Sequence, residues 1–251
     1  QRLRRVADAH HASGRQRALG MRHQDRRAAI VADHAGNVTD RLEVDEILVA
    51  AGRRPRTVGV GLDALGIDPK AELDVDDHLN VAGHDWLYAV GDVNGRALLT
   101  HMGKYQARVA GDVIAARAEG RSLDGERYAA TADHAAVPQV VFTEPQVGSV
   151  GLTEHAARDA GLDVVTSELD IEVAGSALAR ENYSGRAKLV IDRGRNVLVG
   201  ATFVGPDIAE LVHSATVAVV GEVSIDRLWH AVPSYPTVSE VWLRLLENLR
   251  G

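Results

Sequence analysis

Apolar residues fall along this chain in short runs of strand length and in stretches of helical spacing, the pattern of a mixed α/β protein. Trp86-Leu87-Tyr88-Ala89-Val90 is a compact apolar run stopped by Gly91-Asp92 and the turn pair Asn94-Gly95, which predicts a buried strand ending at that turn. Leu98-Leu99-Thr100-His101 then leads into a helix running to about Ala118. Its apolar positions Met102, Tyr105, Val109, Val113 and Ile114 recur near the helical period and predict a face packed on a sheet. Upstream, AAIVAD from Ala28, a turn at His34-Ala35-Gly36-Asn37 and the run Ile47-Leu48-Val49-Ala50 read as a short β-meander. Residues 58–85 carry LDALGI, a polar strand-like piece and Val81-Ala82-Gly83, and Gly120–Ala136 is small and polar, as a linker is.

Past the linker the pattern becomes that of a second domain. Val140–Phe142 and Val147–Leu152 read as strands around the turn Thr143-Glu144-Pro145, Thr153–Ala160 as a short helix closed by Gly161, and Val164–Leu169 as a further strand. Two apolar runs flank Asp192-Arg193-Gly194-Arg195-Asn196 and predict a hairpin. Asp207 and Glu210 form a capping-box-like pair opening a helix whose Ile208, Leu211, Val212, Ala215 and Val219 line one face. At the end, Val238, Val241, Trp242, Leu245, Leu246 and Leu249 make one continuous stripe, suited to a core or to a subunit interface. The expectation is an α+β domain on an antiparallel sheet.

Composition narrows the chemistry. With 251 residues and 45% hydrophobic content the chain has enough material for one large or two modest cores. A net charge of −7 argues against nucleic acid as the main partner. The balance is uneven: residues 1–27 hold eight Arg against two Asp, a local +6 that leaves −13 elsewhere. That stretch reads as a basic, unrelated leader, a divergent remnant or a poorly ordered arm. Its His10, His11 and His23 lack ligand-pair spacing, so no metal site is expected. No apolar run reaches membrane-spanning length and the start lacks the apolar core of a secretion signal, so the expected location is cytoplasmic, with no membrane partner. The absence of cysteine excludes a disulfide framework, thiolate metal sites and a dithiol centre within this chain. No Gly-x-Gly-x-x-Gly occurs either, Gly59-Val60-Gly61 lacking the third glycine.

Gly91-Asp92 alone reads first as a strand-to-helix turn with a local Asp cap and only second as a cofactor contact, although ligands sit outside the carboxyl ends of strands in open α/β sheets. Together, the apolar run, the Gly-Asp pair and Leu-Thr-His resemble the second flavin-binding segment of the pyridine nucleotide-disulfide oxidoreductases, the family of dihydrolipoamide dehydrogenase, glutathione reductase and mercuric reductase. Ala50-Ala51-Gly52-Arg53-Arg54-Pro55 resembles the junction where the NAD(P) domain hands back to the flavin domain, with Ala51 where the family usually has Thr. VFTEPQVGSVGLTE, from Val141, resembles the opening of the interface domain.

The resemblance, covering about Ala28 to the end, implies a partial FAD/NAD(P)-binding Rossmann-like region followed by an α+β dimerisation domain. Residues 28–57 would end the NAD(P)-binding domain, 58–128 would be the C-terminal segment of the FAD-binding domain, and 136–251 the interface domain. It implies that Gly91 and Asp92 meet the FAD ribityl chain and that the amides of Leu98, Leu99, Thr100 and His101 meet the flavin ring. His101 would otherwise serve only the first helical turn. Gly52 would lie close to the nicotinamide nucleotide, or be needed only for its turn. Tyr235-Pro236-Thr237-Val238-Ser239-Glu240 resembles the His-Pro-Thr-x-Ser-Glu signature with which each subunit reaches the partner's disulfide site, the His acting as acid/base and the Glu orienting it. Here Tyr235 stands in place of the His and Glu240 keeps the Glu position. A phenol is a poor base at neutral pH, so Tyr235 either donates hydrogen bonds or marks changed chemistry; a structural Tyr235–Glu240 bond is the plain alternative, and His230 a substitute base.

The function implied is that of the C-terminal half of a homodimeric, FAD-dependent NAD(P)H oxidoreductase passing a hydride from nicotinamide to FAD and electrons on to a disulfide or other acceptor. The alternatives are a non-enzymatic dimerisation module that needs a separate N-terminal half, and an unrelated function on the same scaffold.

Overall fold

A computed structural model of the chain describes residues 21–23, 26–33, 35–44, 46, 48–50 and 52–251, with side chains from Ile30 onward. Most of the basic leader, His10, His11, His34, Ile47 and Ala51 lie outside the described residues. The chain forms two compact units, Gln1–Arg53 and Arg54–Gly251.

In the first unit, β1 (Met21–His23), β2 (Arg26–Ala32) and β3 (Val38–Val44) form an antiparallel sheet in that order. The β2–β3 turn is held by Asp33, whose carboxylate accepts from the amides of Ala35 and Asn37, both at 2.9 Å. The expected third run of the meander is not a strand. Leu48 and Val49 are 93% and 74% exposed and without regular structure. Apolar content alone does not make a strand where no ladder is offered, and here Val38–Val44 supplies the strand instead despite its polar alternation.

The second unit begins with irregular chain. A short 3-10 turn at Leu62–Leu65 and isolated bridges Val75–Val81 and Asn80–Tyr88 surround a core of Leu62, Leu73, Val75, Leu79, Val81 and Ala89. Here Trp86–Val90 departs from expectation: it is extended, but it makes one bridge and the bonds Val81 N to Leu87 O and Ala89 N to Leu79 O, with Trp86 62% exposed. The segment follows an irregular loop rather than a ladder, so only Ala89 is fully enclosed. Helix α1 (Thr100–Ala118) buries Val109, Ala110, Val113 and Ala116 on this core, while Ile114 is half exposed. The expected linker is structured as well. Tyr128 and Ala130 join the same core, Ala130 N donates to Asp77 O at 2.8 Å, and α2 (Ala132–Ala135) follows.

The remainder is an α+β layer. Strands β4 (Gln139–Val141), β5 (Gln146–Gly151), β6 (Val164–Asp170), β7 (Arg186–Asp192) and β8 (Val197–Gly205) form an antiparallel sheet of order β4-β5-β8-β7-β6. The hairpin β7–β8 pairs Leu189 with Ala201 and carries a bulge at Val190/Ile191. Both faces are covered. On one, Ala187, Leu189, Ile191, Leu198 and Phe203 meet α5 (Leu211–Val220) and α7 (Val241–Arg250); on the other, Val190, Val197 and Val199 meet Ala157 of α3 (Glu154–Asp159). The apolar stripe of α7 is therefore core within one chain, Val241, Trp242, Leu245 and Leu246 all being buried. Buried Ser167 fixes this docking by donating to Leu245 O at 2.8 Å. The helix after Asp207 starts differently from expectation. Asp207 is left-handed at φ 57° and makes no side-chain cap, and Gln146 Oε1 of β5 accepts from the Ala209 amide at 3.3 Å instead.

Candidate functional site

Gly91–Asn94 forms one 3-10 turn between the extended segment and α1. Gly91 sits at φ 79°, where a Cβ is strained, and Gly103 of α1 approaches it so closely that a Cβ on Gly103 would lie 3.3 Å from the Gly91 Cα. Two glycines thus allow backbone to rest on backbone. Asp92, at the tip, is exposed. Helix α1 starts from Leu99 in extended conformation with no side-chain cap, which leaves the amides of its first turn without a side-chain acceptor at the cap. Leu99's own amide donates to Ala97 O at 2.8 Å and that of Gly103 to Leu99 O at 3.0 Å, so the first-turn donors are those of Thr100, His101 and Met102. The His101 imidazole bonds through Nε2 to Pro138 O at 2.8 Å, tying the helix start to the entry of β4.

Beneath the turn lies a polar network that sequence reasoning missed. Gln106 is fully buried; its Oε1 accepts from the Gly91 amide at 2.6 Å and from Asn94 Nδ2 at 2.9 Å, and its Nε2 donates to Asp133 Oδ2 at 2.8 Å. Arg96 Nη1 stands 3.7 Å from the same Asp133 oxygen, and Arg96 Nη2 donates to Val75 O and Asp77 Oδ1. His134 contacts that Asp77 oxygen at 2.8 Å, and these pairings hold the Asp77 carboxyl below its ordinary range against the opposing effect of its partial burial. The signal was present: Gln106 is a polar residue on the stripe of Met102, Val109 and Val113.

Gly52, in the first unit, has φ 87° and nothing within 4 Å of a built Cβ, so its backbone alone requires glycine. In the second unit the tail loop 233–240 is held from below. Gly175 of α4 (Ala174–Ala179) packs against the Thr237 backbone, where a Cβ would overlap the Thr237 carbonyl carbon, oxygen and Cα. Glu240 is buried and accepts from Arg244 Nη2 at 2.8 Å, while its other oxygen has no hydrogen-bond partner among the described residues. Tyr235 is 77% exposed. The Tyr235–Glu240 bond considered from the sequence is replaced by the i, i+4 pair with Arg244, because Glu240 turns inward at the start of α7. Among the described residues no helix is long and apolar enough to cross a membrane, and no cluster of three His, Asp or Glu is placed to hold a metal ion.

Comparison with known proteins converges on one family. Residues 15–120 match the pyridine nucleotide-disulphide oxidoreductase model and residues 137–245 the dimerisation domain of the same family. The first match starts ahead of Ala28, so part of the basic leader belongs to the family region. Dihydrolipoyl dehydrogenase 3 of Haloarcula marismortui is 33% identical over 88% of this chain and 45% of its own length. The dihydrolipoyl dehydrogenase of Mycobacterium tuberculosis is 35% identical over 85% of the chain and 44% of its own length. Among solved structures, LpdA from Mycobacterium tuberculosis aligns with a TM-score of 0.74 at 22% identity, over 92% of this chain and 47% of that one. The Cu(II) complex of the HOCl-induced flavoprotein disulfide reductase RclA from Escherichia coli aligns at 0.70 and 25% identity, over 92% and 50%. The chain spans about half the length of the relatives it matches. Two consecutive family matches, relatives about a third identical over the aligned region and a common fold show that this chain belongs to the pyridine nucleotide-disulphide oxidoreductases, the FAD-dependent, NAD(P)H-using family that includes dihydrolipoyl dehydrogenase.

Proposed function

We propose that this chain supplies the flavin-contacting turn and the subunit interface of an FAD-dependent NAD(P)H oxidoreductase that delivers electrons to a disulfide or another acceptor. The observation that carries this reading is the Gly91-Asp92 turn resting on Gly103 beside the uncapped start of α1. These residues fit a flavin nucleotide. An exposed carboxylate suits a polyol hydroxyl, the open amides of Thr100 and His101 suit an electron-rich ring oxygen, and the glycine pair brings both onto one surface. Bound FAD would relay electrons between the nicotinamide and the acceptor. Gly52 would lie near the nicotinamide nucleotide, in the NAD(P)-binding part.

The interface domain would pair two copies of the chain. Support comes from the family's dimerisation model and from Phe142, Leu178 and Val232, three large apolar side chains that the single chain leaves in solvent. Tyr235 and Glu240 would then stand at the partner's acceptor site. A phenol there hydrogen-bonds an acceptor without taking its proton at neutral pH, and Glu240, committed to Arg244, holds the loop rather than activating Tyr235. This favours an acceptor that needs no imidazole.

The test is the absorbance spectrum of the purified protein after incubation with FAD and gel filtration, with sedimentation on the same sample. Retained flavin bands in a dimer are expected of the wild type and lost in Asp92→Ala. A colourless wild-type monomer would overturn the reading.

A further inference from the structure

Gln106 is an amide with two chemically different ends, and the structure uses both. Its oxygen faces two donors, the Gly91 N–H and Asn94 Nδ2. An amide turned over would present NH2 to both, and the other end opposes it as well: the Asp133 carboxylate, an acceptor only, takes the Gln106 Nε2 proton at 2.8 Å. Asp133 is itself almost fully enclosed, its side chain 1% exposed. Its second oxygen and the Arg96 Nη1 nearby are both buried without a hydrogen-bond partner, so the carboxylate is held by the guanidinium charge and by Gln106 alone among the described residues. Arg96 returns to the turn, its amide donating to Asn94 Oδ1 at 3.1 Å. The chain from Asp133 to Gly91 is therefore closed, and its polarity is set by the acceptor at Asp133 together with the donors at Gly91 and Asn94.

We propose that Asp133 is a positioning residue for the flavin-contacting turn: acting through Gln106, it fixes the amide oxygen that anchors Gly91 and Asn94, and so sets where Asp92 stands. The consequence for flavin binding rests on the function proposed above; the geometry does not.

The test is hydrogen exchange of the Gly91 amide by NMR in the full chain without FAD, with the Leu152 amide, bonded to Val199 O in the interface sheet, as reference. Asp133→Ala removes the acceptor, and Gln106→Glu sets two carboxylates against each other. Each is expected to speed Gly91 exchange by about tenfold, the loss of roughly one buried hydrogen bond. Asp133→Asn, which still offers an oxygen, stays near wild type. The double variant Gln106→Glu/Asp133→Asn restores protection, because the amide at 133 now donates and the carboxylate at 106 accepts from Gly91. FAD titrations should follow the same order, with dissociation constants raised about tenfold in the two disrupted variants. Unchanged Gly91 exchange in Asp133→Ala, no recovery in the double variant, or equal loss of Leu152 protection would each overturn the proposal. If the wild type binds no FAD while Gly91 follows this pattern, the positioning role stands and the flavin reading fails.

Discussion

Gly175 offers a test in which two effects of known sign oppose each other. It is the second residue of the short helix α4, at a φ that any residue adopts, so alanine would gain the usual helical advantage of up to about 1 kcal/mol. The added methyl, however, would overlap three backbone atoms of Thr237, well inside the 3.0 Å that real Cβ atoms do not cross. A side chain could rotate away; a carbonyl cannot. Thr237 must retreat by about 1 Å, and with it the bonds from Thr237 Oγ1 to Ser234 O and from Glu240 N to Thr237 O that shape the entry to α7. Overpacking of this kind costs about 1–3 kcal/mol, and the upper half of that range applies because the obstacle is main chain. The net expectation is a loss of about 1–2 kcal/mol.

For a unit of this size that loss lowers the melting temperature by roughly 2–8 °C. Tryptophan fluorescence reports it directly, since Trp242 is buried at the start of α7, 5.8 Å from the ring of Phe203. Gly111 is the matched control. It lies in α1 with nothing within 4 Å of a built Cβ, so Gly111→Ala should raise stability by about 1 kcal/mol. Opposite signs at the two glycines support the close packing of α4 on the tail. A melting temperature for Gly175→Ala at or above wild type would refute it.

Asp92→Ala should weaken FAD binding by roughly 10- to 100-fold, the worth of one charge-assisted hydrogen bond, as measured by flavin fluorescence titration. Phe142→Asp, at a residue 79% exposed in the single chain, should turn the dimer into a monomer in sedimentation while leaving the far-UV spectrum unchanged. Glu154, bonded first to Lys188 and then to Arg158, has its carboxyl held at about 2 against an ordinary 4.5. A depressed carboxylate contributes stability that is present above pH 4.5 and fades as the pH falls toward 2, so the stability difference between wild type and Glu154→Gln should shrink across that window in urea titrations. On the proposed function, Tyr235→His should introduce into acceptor reduction a pH dependence near the ordinary histidine range, checked as the difference between the pH–rate profiles of variant and wild type.

Elements that declare themselves by local pattern were legible in the sequence. The helix 100–118, the hairpin around Asp192–Asn196 and the α7 stripe depend on periodicity and turn chemistry carried within a dozen residues, and the structure has all three. What failed was decided elsewhere in the chain. Trp86–Val90 and Leu48–Val49 are apolar enough for strands, but strand formation requires a partner ladder, and hydrophobicity does not supply one. The cap at Asp207 failed for a related reason: Gln146, sixty-three residues from Ala209, provides the acceptor for the Ala209 amide.

The candidate site divides along the same line. Gly91, Asp92 and the Thr100–His101 helix start were visible because a glycine, an acid and a helix beginning sit within one short stretch. The groups that hold them were not, because Gln106 reads as one polar position on an apolar stripe and Asp133 as part of a polar linker. A buried polar residue reveals its role only when its partner is known, and the partners here are 15 and 27 residues from Gln106 in sequence. The same holds for Glu240. Its place in the motif suggested an orienting role toward Tyr235, but its carboxylate is taken by Arg244, one helical turn on, and Tyr235 stands outward. A motif fixes which residue types meet the ligand; the buried polar groups behind them decide how rigidly they are presented, and those are distributed over the whole chain.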